Sequence, residues 1–157
     1  MKLLANILVK KLRKKNYKIS VAESCTGGLL SSIITSVPGS SKVFSLGMIT
    51  YSNQSKINLL NVSKKIINNY GSVSRQCCSS MVKNLNKISK TNVSLSITGI
   101  AGPSGGTSKK PVGLVYVGLK KNKILIVNRY HFKNKNRLYI QKATVIKSIN
   151  LILSVLK

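Results

Sequence analysis

Apolar positions recur along this chain in two periods, and the switches between them lay out its elements. Leu4, Ile7, Leu8 and Leu12 follow helical spacing, which predicts a first helix over residues 2–15 with a lysine-rich outer face. Residues 17–22 form a short β-type run ending at Glu23. Ser24-Cys25-Thr26-Gly27-Gly28 interrupts it, and Leu29, Leu30, Ile33 and Ile34 return to helical period until Val37-Pro38-Gly39 stops the helix. Residues 43–51 read as a second strand and residues 54–60 as a short helix. Ser63 is placed to cap a helix through Ile66 and Ile67 that closes at Gly71. Ser74 then caps a longer helix over residues 75–87, with Cys78, Met81, Val82 and Leu85 facing inward. Val93, Leu95 and Ile97 alternate in a third strand over residues 93–100, which runs into a Gly-rich loop at 99–106. Residues 111–119 and 123–132 predict a hairpin turning at Lys120-Lys121-Asn122. A final helix over residues 137–156 places Ile140, Ala143, Ile146, Ile149 and Leu153 near one face.

Helices and strands alternate early and a hairpin comes late. This order predicts a three-layer α/β/α sandwich with a mixed β-sheet, in one domain over residues 1–157, without repeat or linker. At 43% hydrophobic residues the chain has enough apolar surface for a core, so its charge does not imply disorder. Three cysteines (Cys25, Cys77 and the adjacent Cys78) offer no C-x-x-C spacing, hence neither a zinc site nor a disulfide framework, and a reducing, cytoplasmic setting is expected. The apolar stretch at residues 3–9 is followed by Lys-Lys-Leu-Arg-Lys-Lys instead of a small-residue cleavage site, so it reads as an amphipathic helix and not a signal peptide. No apolar run is long enough to span a membrane, and no membrane partner is expected.

Charge changes the picture more than composition does. Lys and Arg number 27 against one acidic residue, Glu23, for a formal net charge of +26. Nucleic acid is one class of partner that such a charge attracts. Its distribution argues for codon bias ahead of that reading: lysines are scattered through nearly every segment, and the clusters at residues 10–15 and 109–110 are short.

The same imbalance narrows the available chemistry. With no aspartate and one glutamate, Ser-His-Asp catalysis, paired-carboxylate hydrolysis and carboxylate-bound magnesium have no residues to use. His131, between Tyr130 and Phe132, reads as structural. Serine, tyrosine and lysine together can carry out hydrolysis without a carboxylate, and residues 38–56 gather such a set. The nucleophile candidates are Ser24, Cys25, Ser40 and Ser41, with a lysine as base whose pKa falls through burial or neighbouring positive charge. Two loops that follow strands are built of small residues, Ser24 to Gly28 and Thr98-Gly99-Ile100-Ala101-Gly102-Pro103, and either suits an anionic ligand. Neither matches a Walker or dinucleotide fingerprint.

Residues 22–44, AESCTGGLLSSIITSVPGSSKVF, then GMITYSNQSKINLLNV, YGSVS, SITGIAGPSGG and KPVGLVYVGL resemble, block by block and in order, the CinA C-terminal-like family. The Ala-Glu-Ser-Cys-Thr-Gly-Gly and Thr-Gly-Ile-Ala-Gly-Pro blocks together are highly specific. The resemblance implies a nicotinamide-nucleotide amidase in its stand-alone form, in pyridine-nucleotide salvage. Such an enzyme hydrolyses the carboxamide of nicotinamide mononucleotide to nicotinate mononucleotide and ammonia, needs no metal or cofactor, and forms a homo-oligomer. It implies a Ser/Tyr/Lys set falling on Ser41, Tyr51 and Lys56, with Ser41 as nucleophile and Lys56 withdrawing its proton directly or through Tyr51. Ser24, Thr26, Gly27, Gly28, Thr98, Gly99, Ile100, Gly102 and Arg137 would contact the substrate. One departure stands out: relatives carry Gly-Asp-Arg after a phenylalanine near the last helix, where this chain has Phe132-Lys133-Asn134-Lys135-Asn136-Arg137. Arg137 or Lys135 is the expected substitute. A basic nucleic-acid-binding protein and a homologue that binds without turnover are the alternatives.

Overall fold

The computed structural model describes residues 1–133 and 136–156. One sheet of five strands has the order β2-β1-β3-β4-β5. The strands are β1 (Ile19–Glu23), β2 (Phe44–Ile49), β3 (Val93–Gly99), β4 (Leu114–Lys121) and β5 (Ile124–His131). β1 runs parallel to β2 and β3, whereas β4 is antiparallel to β3 and β5, so the sheet is mixed. The hairpin turns at Asn122, whose φ of 51° is one that asparagine tolerates. Helices α1 (Lys2–Lys14), α2 (Leu29–Thr35) and α6 (Arg137–Ser154) cover one face. Helices α3 (Asn53–Leu60), α4 (Lys64–Tyr70) and α5 (Arg75–Ser89) cover the other.

Apolar and hydroxyl residues alternate on β1 and β3, yet both sets are buried. Ile19, Val21, Val93, Leu95 and Ile97 join the main core with Leu8, Leu12, Ile140 and Ile149. On the opposite side Ser20, Ala22, Ser94 and Ser96 meet α5, where Asn86 Nδ2 donates to Ser94 Oγ (2.9 Å) and Ser96 Oγ donates to the Cys78 carbonyl (2.9 Å). The alternation seen in the sequence therefore separates two buried layers, not core from solvent. Small side chains let α5 sit close: a Cβ at Gly118 would stand 2.8 Å from Ser96 Oγ. The anticipated caps form, with Ser74 Oγ accepting from Cys77 N (3.1 Å) and Gly71 ending α4. Because β1, β2 and β3 are parallel, the loops that leave their carboxyl ends converge on one edge of the sheet, where ligands bind in open α/β folds.

Candidate active site

Lys56 organises this edge. It sits one turn into α3, which Ser52 starts with a reciprocal cap to Ser55. That start turns the lysine into the protein, leaving it 2% exposed. Its Nζ lies 2.9 Å from Ser24 Oγ and donates to the carbonyls of Thr50 (2.7 Å), Tyr51 (3.4 Å) and Ser52 (3.5 Å). A neutral amine has two hydrogens and one lone pair. The three carbonyls can take the hydrogens while the lone pair faces the Ser24 hydroxyl, so the same cage suits the base form and the ammonium.

Ser24 is the first residue beyond β1. The turn that carries it needs two left-handed residues, Gly27 (φ +60°) and Gly28 (φ +96°), before α2 begins. Glu23, fully buried, accepts at its carboxylate from Leu30 N (3.0 Å), Ser31 N (2.7 Å) and Ser31 Oγ (2.6 Å), and thereby closes the start of α2. Gln141 of α6 donates to the Cys25 carbonyl (2.9 Å) and holds the turn from the other side.

A cavity of about 240 Å³ opens over these groups, lined by Ser24, Lys56, Tyr51, Arg137, Ser72 and the small-residue loop from Thr98 to Gly105. Arg137 bridges two of its walls, donating to the Gly102 carbonyl (2.8 Å) and to Tyr51 Oη (2.6 Å). Thr98 Oγ1 ties the loop floor to the Ser72 carbonyl (2.8 Å).

Of the residues singled out from the sequence, Ser24, Tyr51, Lys56, Thr98, Gly99, Ile100, Gly102 and Arg137 line this cavity. Thr26, Gly27 and Gly28 do not line it; they shape the turn beneath Ser24. Lys135 lies outside the described residues. Ser41, the nucleophile that the resemblance implies, is exposed on a short 3-10 turn (Ser40–Lys42) ahead of β2 and does not line the cavity. Its neighbour Ser40 donates to the Thr35 carbonyl (3.1 Å), an end cap for α2. The hydroxyl that meets Lys56 is that of Ser24. Tyr51 Oη meets Arg137. Ser72 and Val73, not among the expected site residues, also line the cavity, and the Tyr-Gly-Ser-Val-Ser block is their one signal in the sequence.

Burial lowers the Lys56 pKa from its ordinary 10.5, while the nearby Cys77 and Cys25 thiols oppose the shift. The cause is desolvation; the neighbouring cations expected from the +26 charge are not what lowers it. Burial also pushes the Cys25 and Cys78 thiols up to about 12 and raises Cys77. Cys25 is therefore a neutral thiol and a poor nucleophile beside Ser24.

The profile described as CinA C-terminal domain matches residues 1–156. A protein of Thermoanaerobacter pseudethanolicus, provisionally named competence-damage inducible, is 43% identical over 146 residues, covering 93% of this chain and 35% of that protein. A CinA-like protein of Pseudothermotoga lettingae is 42% identical over 136 residues, 87% of this chain and 34% of that one. The chain thus spans about a third of the length of the curated relatives it matches. The crystal structure of the competence/damage inducible protein CihA from Agrobacterium tumefaciens superposes with a TM-score of 0.97 at 32% identity, covering 99% of this chain and 95% of that one. Full-length profile agreement, sequence identity and fold converge on one conclusion: this chain belongs to the CinA C-terminal domain family.

Proposed function

We propose that this chain is a serine amidase that hydrolyses the carboxamide of nicotinamide mononucleotide, with Ser24 as nucleophile and Lys56 as general base. The observation that carries the reading is the 2.9 Å contact between Lys56 Nζ and Ser24 Oγ, in a cage that suits a neutral amine, at the floor of a cavity. The block resemblance supplies the substrate class.

In this mechanism Lys56 takes the Ser24 proton as Oγ attacks the carboxamide carbon. The tetrahedral oxyanion collapses, the C–N bond breaks, and Lys56 returns the proton to the leaving ammonia. Water, deprotonated by Lys56, then attacks the nicotinoyl ester, breaks its bond to Ser24 Oγ, and restores the hydroxyl. Tyr51 stands outside this proton path, since its hydroxyl is engaged by Arg137. Tyr51 is 57% exposed, and its ring offers a face to a cationic pyridinium. Arg137 brings a cation to the cavity for the substrate phosphate, so the altered segment after Phe132 still delivers an arginine there.

Incubation of the purified protein with nicotinamide mononucleotide tests this reading. Equimolar ammonia and nicotinate mononucleotide support it; no turnover across neutral to alkaline pH removes it.

A further inference from the structure

We infer that Glu23, the one carboxylate side chain of the molecule, is a positioning residue that holds nucleophile and base in register. This rests on the Ser24–Lys56 reading and assigns a role that the reading does not require. Glu23 acts in two directions. Its side chain grips the start of α2 through Leu30 N, Ser31 N and Ser31 Oγ, and so fixes the turn that presents Ser24. Its main-chain carbonyl accepts from Thr50 N (2.7 Å), and the Thr50 carbonyl in turn accepts from Lys56 Nζ (2.7 Å). Lys56 Nζ reaches Ser24 Oγ at 2.9 Å, and Ser24 is bonded to Glu23. Residues 23, 50, 56 and 24 thus form a closed ring in which nucleophile and base are referred to one residue.

The carboxylate itself is costly to keep. A buried carboxylate demands strong donors, and here two backbone N–H groups and one hydroxyl supply them. A neutral acceptor cannot repeat the pattern. In glutamine one terminal atom becomes a donor and meets the N–H of Leu30 or the N–H and hydroxyl of Ser31, so one wall of the turn is released.

The test compares Glu23→Gln, Ser31→Ala and, as a control at the far end of the same strand, Ser20→Ala. Ser20 lies in a buried hydroxyl cluster with Thr91 and Ser94 and is remote from the cavity in the fold. Glu23→Gln is expected to lower kcat for nicotinamide mononucleotide by roughly a hundredfold, with KM changed less than about threefold. Ser31→Ala, which removes one of three donors, is expected to lower kcat several-fold. Ser20→Ala is expected to lower Tm and leave kcat unchanged. A wild-type kcat in Glu23→Gln, or an equal loss in Ser20→Ala, overturns the inference. If Glu23→Gln does not fold, Ser31→Ala decides by the same criterion. If the wild type does not turn over this substrate, the amidase reading fails, and Glu23 is judged separately by hydrogen exchange of residues 24–31. Faster exchange there in Ser31→Ala, with α5 unchanged, supports the ring; unchanged exchange overturns it.

Discussion

At the scale of single residues, the proposed base is Lys56, a buried lysine whose pKa burial lowers. Below its folded-state pKa Lys56 is an ammonium and cannot accept the Ser24 proton. Activity is therefore expected to rise with pH along an acid limb whose midpoint lies below the ordinary 10.5, because burial depresses the folded value. A limb centred at or above 10.5 contradicts the assignment. The same shift has a stability consequence whose sign is fixed. Between the folded and unfolded pKa values the unfolded chain binds more protons, so stability rises with pH across that window and the cost of Lys56 is fully present below it. Lys56→Met is expected to abolish activity and to flatten the dependence of Tm on pH; an unchanged slope in a scan from neutral to alkaline pH argues against a buried, destabilised amine. Cysteine chemistry gives a further check. With the Cys25 thiol near 12, iodoacetamide at pH 8 is expected to leave native activity intact. Rapid inactivation blocked by substrate shifts the nucleophile to Cys25.

At the scale of elements, packing explains both what the sequence made legible and what it hid. The caps at Ser63 and Ser74, the stop at Pro38 and the turn at Asn122 are local signals, and their elements form within a few residues of the expected bounds. The lysine and tyrosine were legible because α3 follows β2 directly. Ser24 was one of four nucleophile candidates; its contact with Lys56 was not legible, because parallel pairing makes it. Glu23 lies beside Ile49 in the β1–β2 register, which sets Ser24 next to the Thr50–Lys56 segment 32 positions further along the chain. The family resemblance pointed to Ser41, whereas the sheet brings Ser24 to Lys56. Burial on both faces of β3 was equally hidden, since a Ser-Leu-Ser alternation has the appearance of a half-exposed strand. Two glycine positions test the packing. Gly118→Val must push Ser96 and Cys78 away from β4, and a loss of about 1–3 kcal/mol in denaturant melts is expected. Gly28→Ala places a side chain at φ +96° with its Cβ 3.0 Å from Ile49 Cδ1, and is expected to cost about 1 kcal/mol and to reduce activity by displacing the turn. Neutral outcomes at both positions contradict the packing described.

At the scale of the whole molecule, charge is the dominant fact. The net charge is +26 and the one carboxylate side chain is sealed inside, so no surface side chain supplies a negative charge. Lysines are exposed on α1 (Lys10, Lys11, Lys14), on α5 (Lys83, Lys87) and at the hairpin turn (Lys123), which spreads the field over every layer. Self-repulsion of this kind is screened at a Debye length of about 10 Å in 0.1 M salt. Tm is expected to rise by several degrees between ~0.05 and ~0.5 M salt, and a fall over that range contradicts a repulsion-limited fold. The same spread predicts weak DNA binding that decays steeply between ~50 and ~200 mM salt. Among the described residues no helix is long and apolar enough to cross a membrane. Within this field, the cavity is lined by uncharged loop residues together with Arg137 and Lys56.

The most direct measurement compares ammonia release from nicotinamide mononucleotide by the wild type, Ser24→Ala and Ser41→Ala under one set of conditions. With Ser24 as nucleophile, Ser24→Ala is expected to lose at least roughly a thousandfold in kcat. Ser41→Ala, altered on an exposed turn that does not line the cavity, is predicted to stay within about twofold of the wild type. The reverse order, with Ser41→Ala inactive and Ser24→Ala active, contradicts the assignment of the nucleophile.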